Sequence, residues 1–132
     1  MAIPNNHTLQ ERVVHTTTNS IASTPLACVA RAPMRGKIVK LGGVSHGIFT
    51  TDCSVAVAII TSVAGGTAPT GGTAVTGSPM VLTASNSAAG TSVTMIPTAA
   101  NIVNEDDLIM FTPSGSTGTT IGGTFYAVIV PA

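Results

Sequence analysis

Hydrophobic positions in this chain occur in short runs of β-branched, aromatic and other apolar residues, bounded by glycine, proline, serine or asparagine. Such runs are typical of β-strands. No stretch of eleven or more residues keeps the spacing of an amphipathic helix, and the best helical candidate is one turn within residues 97–107. We expect about eight strands, at residues 11–16, 26–32, 36–43, 54–60, 79–84, 92–96, 107–112 and 124–130. The spacing predicts an all-β chain, an antiparallel jelly-roll-like β-sandwich.

Several of the predicted strands are apolar on both faces. The last strand carries Phe125, Ala127 and Ile129 on one face and Tyr126, Val128 and Val130 on the other. An antiparallel sheet with one solvated face should alternate apolar and polar residues instead. We therefore expect the second face to be covered by the N-terminal segment or by another subunit, with Val128 or Val130 facing a partner.

A glycine-rich stretch, GGTAPTGGTAVTGS at residues 65–78, interrupts the strands. It is a poor domain linker, because only about 54 residues follow it. It lacks the Lys-Ser/Thr that completes a phosphate-binding loop, and GGTA does not recur elsewhere as a structural repeat would. We expect a long inter-strand loop with a short strand near residues 73–76. A similar loop at residues 113–123 should join the last two strands.

The domain organisation follows from this pattern. Residues 1–20 contain little apolar surface and predict an extended N-terminal arm. Residues 21–132 form the predicted sandwich. The 132-residue length suits one such domain.

Charge is scarce: charged residues make up 8% of the chain, against about 25% in ordinary soluble domains, and the net charge is zero. Large uncharged patches, together with strands that are apolar on both faces, favour assembly into a homo-oligomer, either a dimer or a trimer. All five basic residues precede residue 41, and four of the five acidic residues follow it. The partner-contact candidates are Arg12, Arg31, Arg35, Lys37, Lys40, Glu105, Asp106, Asp107, Val128 and Val130.

Candidate catalytic and metal chemistry is weak. The histidines His7, His15 and His46 are too far apart in sequence for a cupin-type metal site. Ser45, His46 and Asp52 lack the sequence frame of a nucleophile. Residues 105–107 are consecutive acids, without the alternating ligands of a calcium loop. We therefore expect that the protein is not an enzyme and that it has no cofactor and no metal site.

Other classes of partner are also disfavoured. Aromatic residues at 3% and zero net charge argue against nucleic-acid binding, and no apolar run is long enough for a membrane-spanning helix. The first residues lack the basic and apolar regions of a signal peptide, which favours synthesis inside a cell. In that compartment we expect Cys28 and Cys53 to be free thiols.

Three segments of the chain carry recognisable local motifs. Residues 31–44 give an Arg-x-Pro-x-x-Gly opening before a strand, and residues 50–59 give a Thr-Asp that enters a Val/Ala strand. Residues 103–130 give an acidic corner, a Gly/Ser/Thr-rich loop and a closing apolar strand. With these motifs the chain resembles small decoration, or cement, proteins of tailed-phage capsids. Similar proteins often have Gly-Asp at that corner, where this chain has Asp106-Asp107.

This resemblance implies a jelly-roll sandwich that binds the major capsid protein as an oligomer, on the outer face of a phage head shell, and stabilises that shell without catalysis. It also implies a virion location after synthesis in the host cytoplasm. The alternative is a non-catalytic binding module, either of a phage fibre or tail or for carbohydrate. Against carbohydrate binding, the chain has no Trp, one Tyr and three Phe for stacking on a sugar.

Overall fold

The computed structural model describes residues 10–61 and 69–132, which form two antiparallel sheets packed face to face. Over these ranges there is no helix. The strands are β1 (Arg12–Thr18), β2 (Cys28–Arg31), β3 (Gly36–Ser45), β4 (Cys53–Ile60), β5 (Thr73–Ala74), β6 (Met80–Leu82), β7 (Ser92–Met95), β8 (Ile102–Val103), β9 (Leu108–Ser114) and β10 (Gly123–Pro131). The predicted all-β sandwich is confirmed.

The chain crosses repeatedly between the two sheets. Sheet A has the order β1-β10-β3-β7, with β8 also paired to β3. Sheet B has the order β2-β9-β4-β5, with β6 also paired to β4. Because β1, β2, β3 and β4 alternate between sheets A and B, hydrophobic strands that are adjacent in sequence face each other across the core.

Each of the eight predicted strands overlaps an observed strand, and the two very short strands β5 and β8 lie outside those eight ranges. The helical turn expected within residues 97–107 is wrong, because this segment contains β8. There Ile102 pairs with Lys37 of β3, and the buried Asn101 donates a side-chain hydrogen bond to the Ile38 carbonyl at 2.8 Å. Pairing with an existing sheet edge therefore overrides a weak local preference for a turn of helix.

The N-terminal segment is part of the sandwich from Arg12 onward. Strand β1 pairs with β10 along its whole length, from Arg12 opposite Ile129 to Thr18 opposite Gly123. Shortly after it, Ser20, Ile21 and Ala22 are buried. The arm predicted over residues 1–20 is thus corrected for residues 12–20, and residues 1–9 lie outside the described ranges.

The core fills the space between the sheets with inward side chains of alternate strand residues. Phe111 of β9 stacks on Phe125 of β10, with ring centroids 5.3 Å apart and planes inclined by 11°. Around this pair lie apolar residues from both sheets and from the loops, including Ile21 and Phe49. The stack joins the two sheets at their centre.

The glycine-rich stretch behaves as an inter-strand connection where it is described. Residues 65–68 lie outside the described ranges, and residues 69–78 include β5, within the short strand expected near residues 73–76. The next residue, Val75, is buried and its amide donates to the Val57 carbonyl at 3.0 Å. The second predicted loop is confirmed, because β9 ends at Ser114 and β10 begins at Gly123.

The acidic corner is a tight turn between β8 and β9. Asp106 lies in the left-handed region with φ of 71°, and its amide donates to the Ala32 carbonyl at 2.9 Å. The Asn104 amide donates to Asp107 Oδ2 at 2.9 Å, and the Asp107 amide donates to the Asn104 carbonyl at 3.1 Å. Aspartate tolerates the left-handed region better than most residues that have a Cβ atom, which explains how Asp106 can occupy this position.

Substitution of Asp106 should separate backbone strain from charge. We expect Asp106→Ala to lower the free energy of unfolding by about 1 kcal/mol, because alanine pays the left-handed penalty without a side chain that can bond locally. Asp106→Gly and Asp106→Asn should stay within about 0.5 kcal/mol of the parent, since the exposed ion pair with Arg31 contributes little. Urea unfolding measures this order. Equal values for the alanine and glycine variants would contradict it.

The two thiols differ in their accessibility. Cys53 is fully buried and Cys28 is partly buried, and both are free. Burial raises the pKa of both thiols, and hydrogen bonds with Thr16 and with the Ser114 backbone offset part of this rise for Cys28 and Cys53 respectively.

A raised thiol pKa lowers the fraction of reactive thiolate at any given pH below it. We expect Cys53 in the native protein to react with a disulfide reagent at least about 100-fold more slowly than in urea, and Cys28 to react at an intermediate rate. Raising the pH should speed both reactions. Thiol titration with Cys28→Ser as the control variant assigns the two phases, and a native Cys53 that reacts at its unfolded rate would refute the burial assigned to it.

Candidate functional site

Charged residues are concentrated at one end of the sandwich. This end, which we call the Arg35 end, comprises the start of β1, the β2–β3 loop, the start of β3 and the β8–β9 turn. The chain has five basic and five acidic residues, and eight of these ten lie at this end. Of the other two, Lys40 lies within β3 and Asp52 lies at the opposite end. The members are Glu11, Arg12, Arg31, Arg35, Lys37, Glu105, Asp106 and Asp107.

Several of these charges already interact within the chain. Arg31 lies 3.6 Å from an Asp106 carboxylate oxygen, with both side chains about 60% exposed. Arg35 donates to Asn104 Oδ1 at 2.7 Å. Asp107 is 8% exposed and accepts the hydrogen bond from the Asn104 amide, so its carboxylate shapes the turn and is not free to meet another protein. Glu105 and Arg12 are exposed.

A second candidate surface is the outer side of sheet A, which we call the Tyr126 face. It consists of the outward residues of β1, β3, β7, β8 and β10, together with Ile96, which directly follows β7. In β10 the burial alternates strictly from Gly123 to Val130, so Tyr126, Val128 and Val130 point outward as their sequence pattern predicts.

Two rows of the Tyr126 face combine apolar side chains with lysines. Val128 has Val13 of β1 on one side and Lys40 of β3 on the other. In the next row Val130 lies opposite Lys37, which in turn lies opposite Ile102 of β8. Four of the sequence-predicted contact residues, Lys37, Lys40, Val128 and Val130, are thus neighbours on one surface, while Arg31 and Asp106 pair at the Arg35 end.

The central row contains the protein's single tyrosine. The Tyr126 ring lies against His15 of β1, with centroids 6.2 Å apart and planes inclined by 48°. On its other side Tyr126 faces Gly42, where an added Cβ atom would lie 2.3 Å from the ring carbon Cζ. The absence of a side chain at Gly42 therefore lets the ring lie down on β3, which keeps this part of the surface flat.

The last row contains Thr17 of β1, Thr124 of β10 and the exposed Val44 of β3. Thr124 of β10 is hydrogen bonded to His46 Nε2 at 2.8 Å and to the Thr17 hydroxyl at 3.2 Å. These contacts fix the side chains at the border of the Tyr126 face, towards the end opposite Arg35.

Several apolar side chains of the Tyr126 face are exposed to solvent. Ile96 is 73% exposed, Val13 49% and Ile102 46%. The outward residues of β10 could be predicted from the sequence, because inward and outward residues alternate along a single strand. The sequence did not indicate Val13, Ile96 and Ile102, because their proximity arises from strand pairing between segments that are distant in sequence.

The outer side of sheet B is a smaller candidate surface. It presents Val29 of β2 and Val81 of β6, at 37% and 44% exposure, beside small residues such as Ala56. None of the strands of sheet B contains an acidic residue, and Arg31 is their single basic residue.

A cleft of about 500 Å³ lies at the end opposite Arg35. Its lining is uncharged: apolar groups of Ile48, Phe49 and Ile121, and threonines from two loops. Phe49 is buried and Ile48 is half exposed. This composition suits a small uncharged ligand more than a charged substrate.

The residues weighed as a catalytic triad do not converge. Ser45 donates to the Gly47 and Thr91 carbonyls, whereas His46 bonds Thr124. Asp52 accepts a hydrogen bond from the Ala84 amide. Over residues 10–61 and 69–132, no group of three or more His, Cys, Asp or Glu side chains could hold a metal ion. The same ranges contain no helix long and apolar enough to span a membrane.

No protein-family model matches the chain, and no curated protein matches its sequence. The chain's fold class is that of an antiparallel β-sandwich.

The Gly42–Tyr126 contact yields a test of the face's shape. We expect Gly42→Ala to displace the Tyr126 ring and to lower the free energy of unfolding by about 1–2 kcal/mol, because the added methyl group overlaps the ring. The chain has one Tyr and no Trp, so near-ultraviolet circular dichroism reports on this ring alone among the larger aromatics.

The matched control is the same substitution in a Tyr126→Ala background. There Gly42→Ala should cost less than about 0.5 kcal/mol, since nothing remains to overlap with the methyl group. Equal costs in the two backgrounds would show that the ring does not rest on Gly42.

Proposed function

We propose that this chain is a structural, non-catalytic capsid decoration protein, which binds the outer surface of a phage head shell through its Tyr126 face and stabilises that shell. The proposal rests above all on the exposed side chains of that face. Val13, Ile96 and Ile102 present branched apolar groups to solvent on a sheet whose opposite side is already filled by the core. Exposed apolar side chains gathered on one face of a sheet favour an interaction site there.

Charge on sheet A supports a protein partner with acidic groups. The strands of sheet A contain three basic residues, Arg12, Lys37 and Lys40, and no acidic residue. Lys37 and Lys40 lie within the Tyr126 face, next to the valines of β10. In such a surface the apolar groups supply most of the affinity, while the lysines steer the approach and fix the register on the partner.

The resemblance to phage decoration proteins supplies the identity of the partner. The similar segments contribute to both sheets: residues 31–44 lead into and span most of β3, residues 50–59 cover most of β4, and residues 103–130 run through β9 and β10. Two of these segments build the Tyr126 face. The partner is therefore the major capsid protein, the location is the virion, and the chain acts as a homo-oligomer.

The uncharged cleft favours a second candidate function, a non-catalytic binding module of a phage fibre or tail. Its threonine hydroxyls and apolar walls suit a small neutral ligand, such as part of a carbohydrate. The two functions use different surfaces, because the cleft lies between loops at one end and the Tyr126 face covers one sheet.

Binding to shells assembled from the major capsid protein of the same phage tests the proposal. The docking variant is the double substitution Ile96→Asp with Ile102→Asp, two exposed positions on the Tyr126 face. The matched control is Val29→Asp with Val81→Asp, two exposed valines on the outer side of sheet B. Co-sedimentation at increasing protein concentration measures the dissociation constant, and thermal unfolding checks that all variants fold.

We expect the docking variant to bind roughly tenfold more weakly or worse, and the control to bind as the parent does, because desolvated apolar contacts carry most interface energy. If the parent does not bind shells, the decoration function is wrong. If the control loses binding and the docking variant keeps it, the Tyr126 face is not the docking surface.

A further inference from the structure

Strand β1 is the one long edge in the described part of the sandwich. It has seven residues, whereas the other edge strands, β2, β5, β6, β7 and β8, have two to four. One side of β1 pairs with β10, and on its other side no strand within residues 10–61 and 69–132 pairs with it. Short edges protect themselves from further pairing, but a seven-residue edge exposes a ladder of backbone donors and acceptors.

The sequence of β1 carries few of the features that block edge pairing. RVVHTTT contains no proline and no lysine, and its register with β10 has no bulge. Five of its seven residues are β-branched, the residue type that suits a paired strand best. This edge is therefore suited to receive another strand.

We propose that β1 pairs antiparallel with β1 of a second copy of this chain, about a two-fold axis at Val13. This arrangement would join two five-stranded sheets into one continuous sheet of ten strands, with both Tyr126 faces on the same side. The inference deepens the proposed function, of which the homo-oligomer is a part, because it assigns the surface through which two copies assemble.

The register follows from side-chain facing and charge. An antiparallel pair keeps facing residues on one side of the sheet, and Val13 and His15 both point outward on the Tyr126 face. With the axis at Val13, the two exposed valines face each other. Glu11 of each copy then faces His15 of the other, so an acidic group meets an imidazole on both sides of the axis.

Other registers lose these contacts. An axis at His15 would place the two imidazoles opposite each other and Val13 opposite Thr17 of the second copy. An axis at Val14 would place Val13 opposite His15. Only the axis at Val13 both covers this half-exposed valine with an apolar partner and gives Glu11 an oppositely chargeable neighbour.

Sedimentation of the full chain without shells tests the assembly. At tens of micromolar we expect a particle of twice the 13.1 kDa mass of one chain. A monomer, as would result if residues 1–9 of the same chain covered the edge, overturns the proposal, and so does a trimer, because a two-fold edge pair closes at two copies. This measurement does not depend on binding to a shell. The β1–β1 dimer can therefore be wrong while the decoration function stands, and the decoration function can be wrong while the dimer stands.

Cross-linking tests the axis. Oxidation of Val13→Cys should give a covalent dimer on a non-reducing gel, because facing residues across an antiparallel pair lie within the Cα separation of a disulfide. The wild-type chain, Thr17→Cys and Val44→Cys undergo the same oxidation as controls and should stay monomeric on the gel. A dimer in solution whose Thr17→Cys variant cross-links and whose Val13→Cys variant does not would refute the register.

Charge exchange tests the Glu11–His15 contact. Glu11→Lys should weaken the dimer roughly tenfold, because it places a lysine opposite an imidazole on both sides of the axis. Adding His15→Glu should restore most of the loss, since it recreates opposite charges in reversed order. Circular dichroism confirms the fold of each variant. A double variant as weak as Glu11→Lys alone would show that these residues do not face each other.

Discussion

Strand β10 carries apolar side chains on both faces, and most of the architecture depends on how these faces are used. On the inner face Phe125 stacks on Phe111 of the other sheet, with Ala127 and Ile129 fully buried beside it. On the outer face Tyr126, Val128 and Val130 form the middle of an uncharged strip between β1 and β3. A strand in the centre of a five-stranded sheet has no free edge, so its second apolar face remains open to solvent or to a partner.

The few charges of the chain are unevenly distributed. Eight of the ten charged residues are at the Arg35 end, with Lys37 of the Tyr126 face among them, and Lys40 lies within β3. This end has four basic and four acidic residues, so its net charge is zero, and Arg31 pairs with Asp106 there. This distribution leaves sheet A with lysines that no acidic strand residue neutralises, which gives the Tyr126 face its electrostatic preference.

The sequence was informative about strands and much less so about their neighbours. Period-two patterning located β10 and its two faces, because that information is local. The position of Ile102 beside Lys37 depends on β8 adding to β3 across more than sixty residues, which no local pattern encodes. Asp107 is the opposite case. Its charge predicts an exposed residue that contacts a partner, but Asp107 is 8% exposed and its carboxylate accepts a hydrogen bond within the β8–β9 turn. The arm predicted over residues 1–20 ends too late for a related reason: the strand predicted within it, at residues 11–16, pairs with β10, which is distant in sequence.

Edge pairing and shell docking would reinforce each other, because they use perpendicular surfaces of the same sheet. Backbone groups at the β1 edge point within the sheet plane, whereas the side chains of the Tyr126 face point out of it. A pair joined at Val13 would therefore present two copies of the face on one side, with four lysines from Lys37 and Lys40. On a shell with repeating subunits, the first face to bind holds the second close to another site at high effective concentration. Two individually weak contacts would then give lasting attachment, as a protein that reinforces a shell requires. A monomer with one such face would need a larger or more apolar surface to attach as firmly.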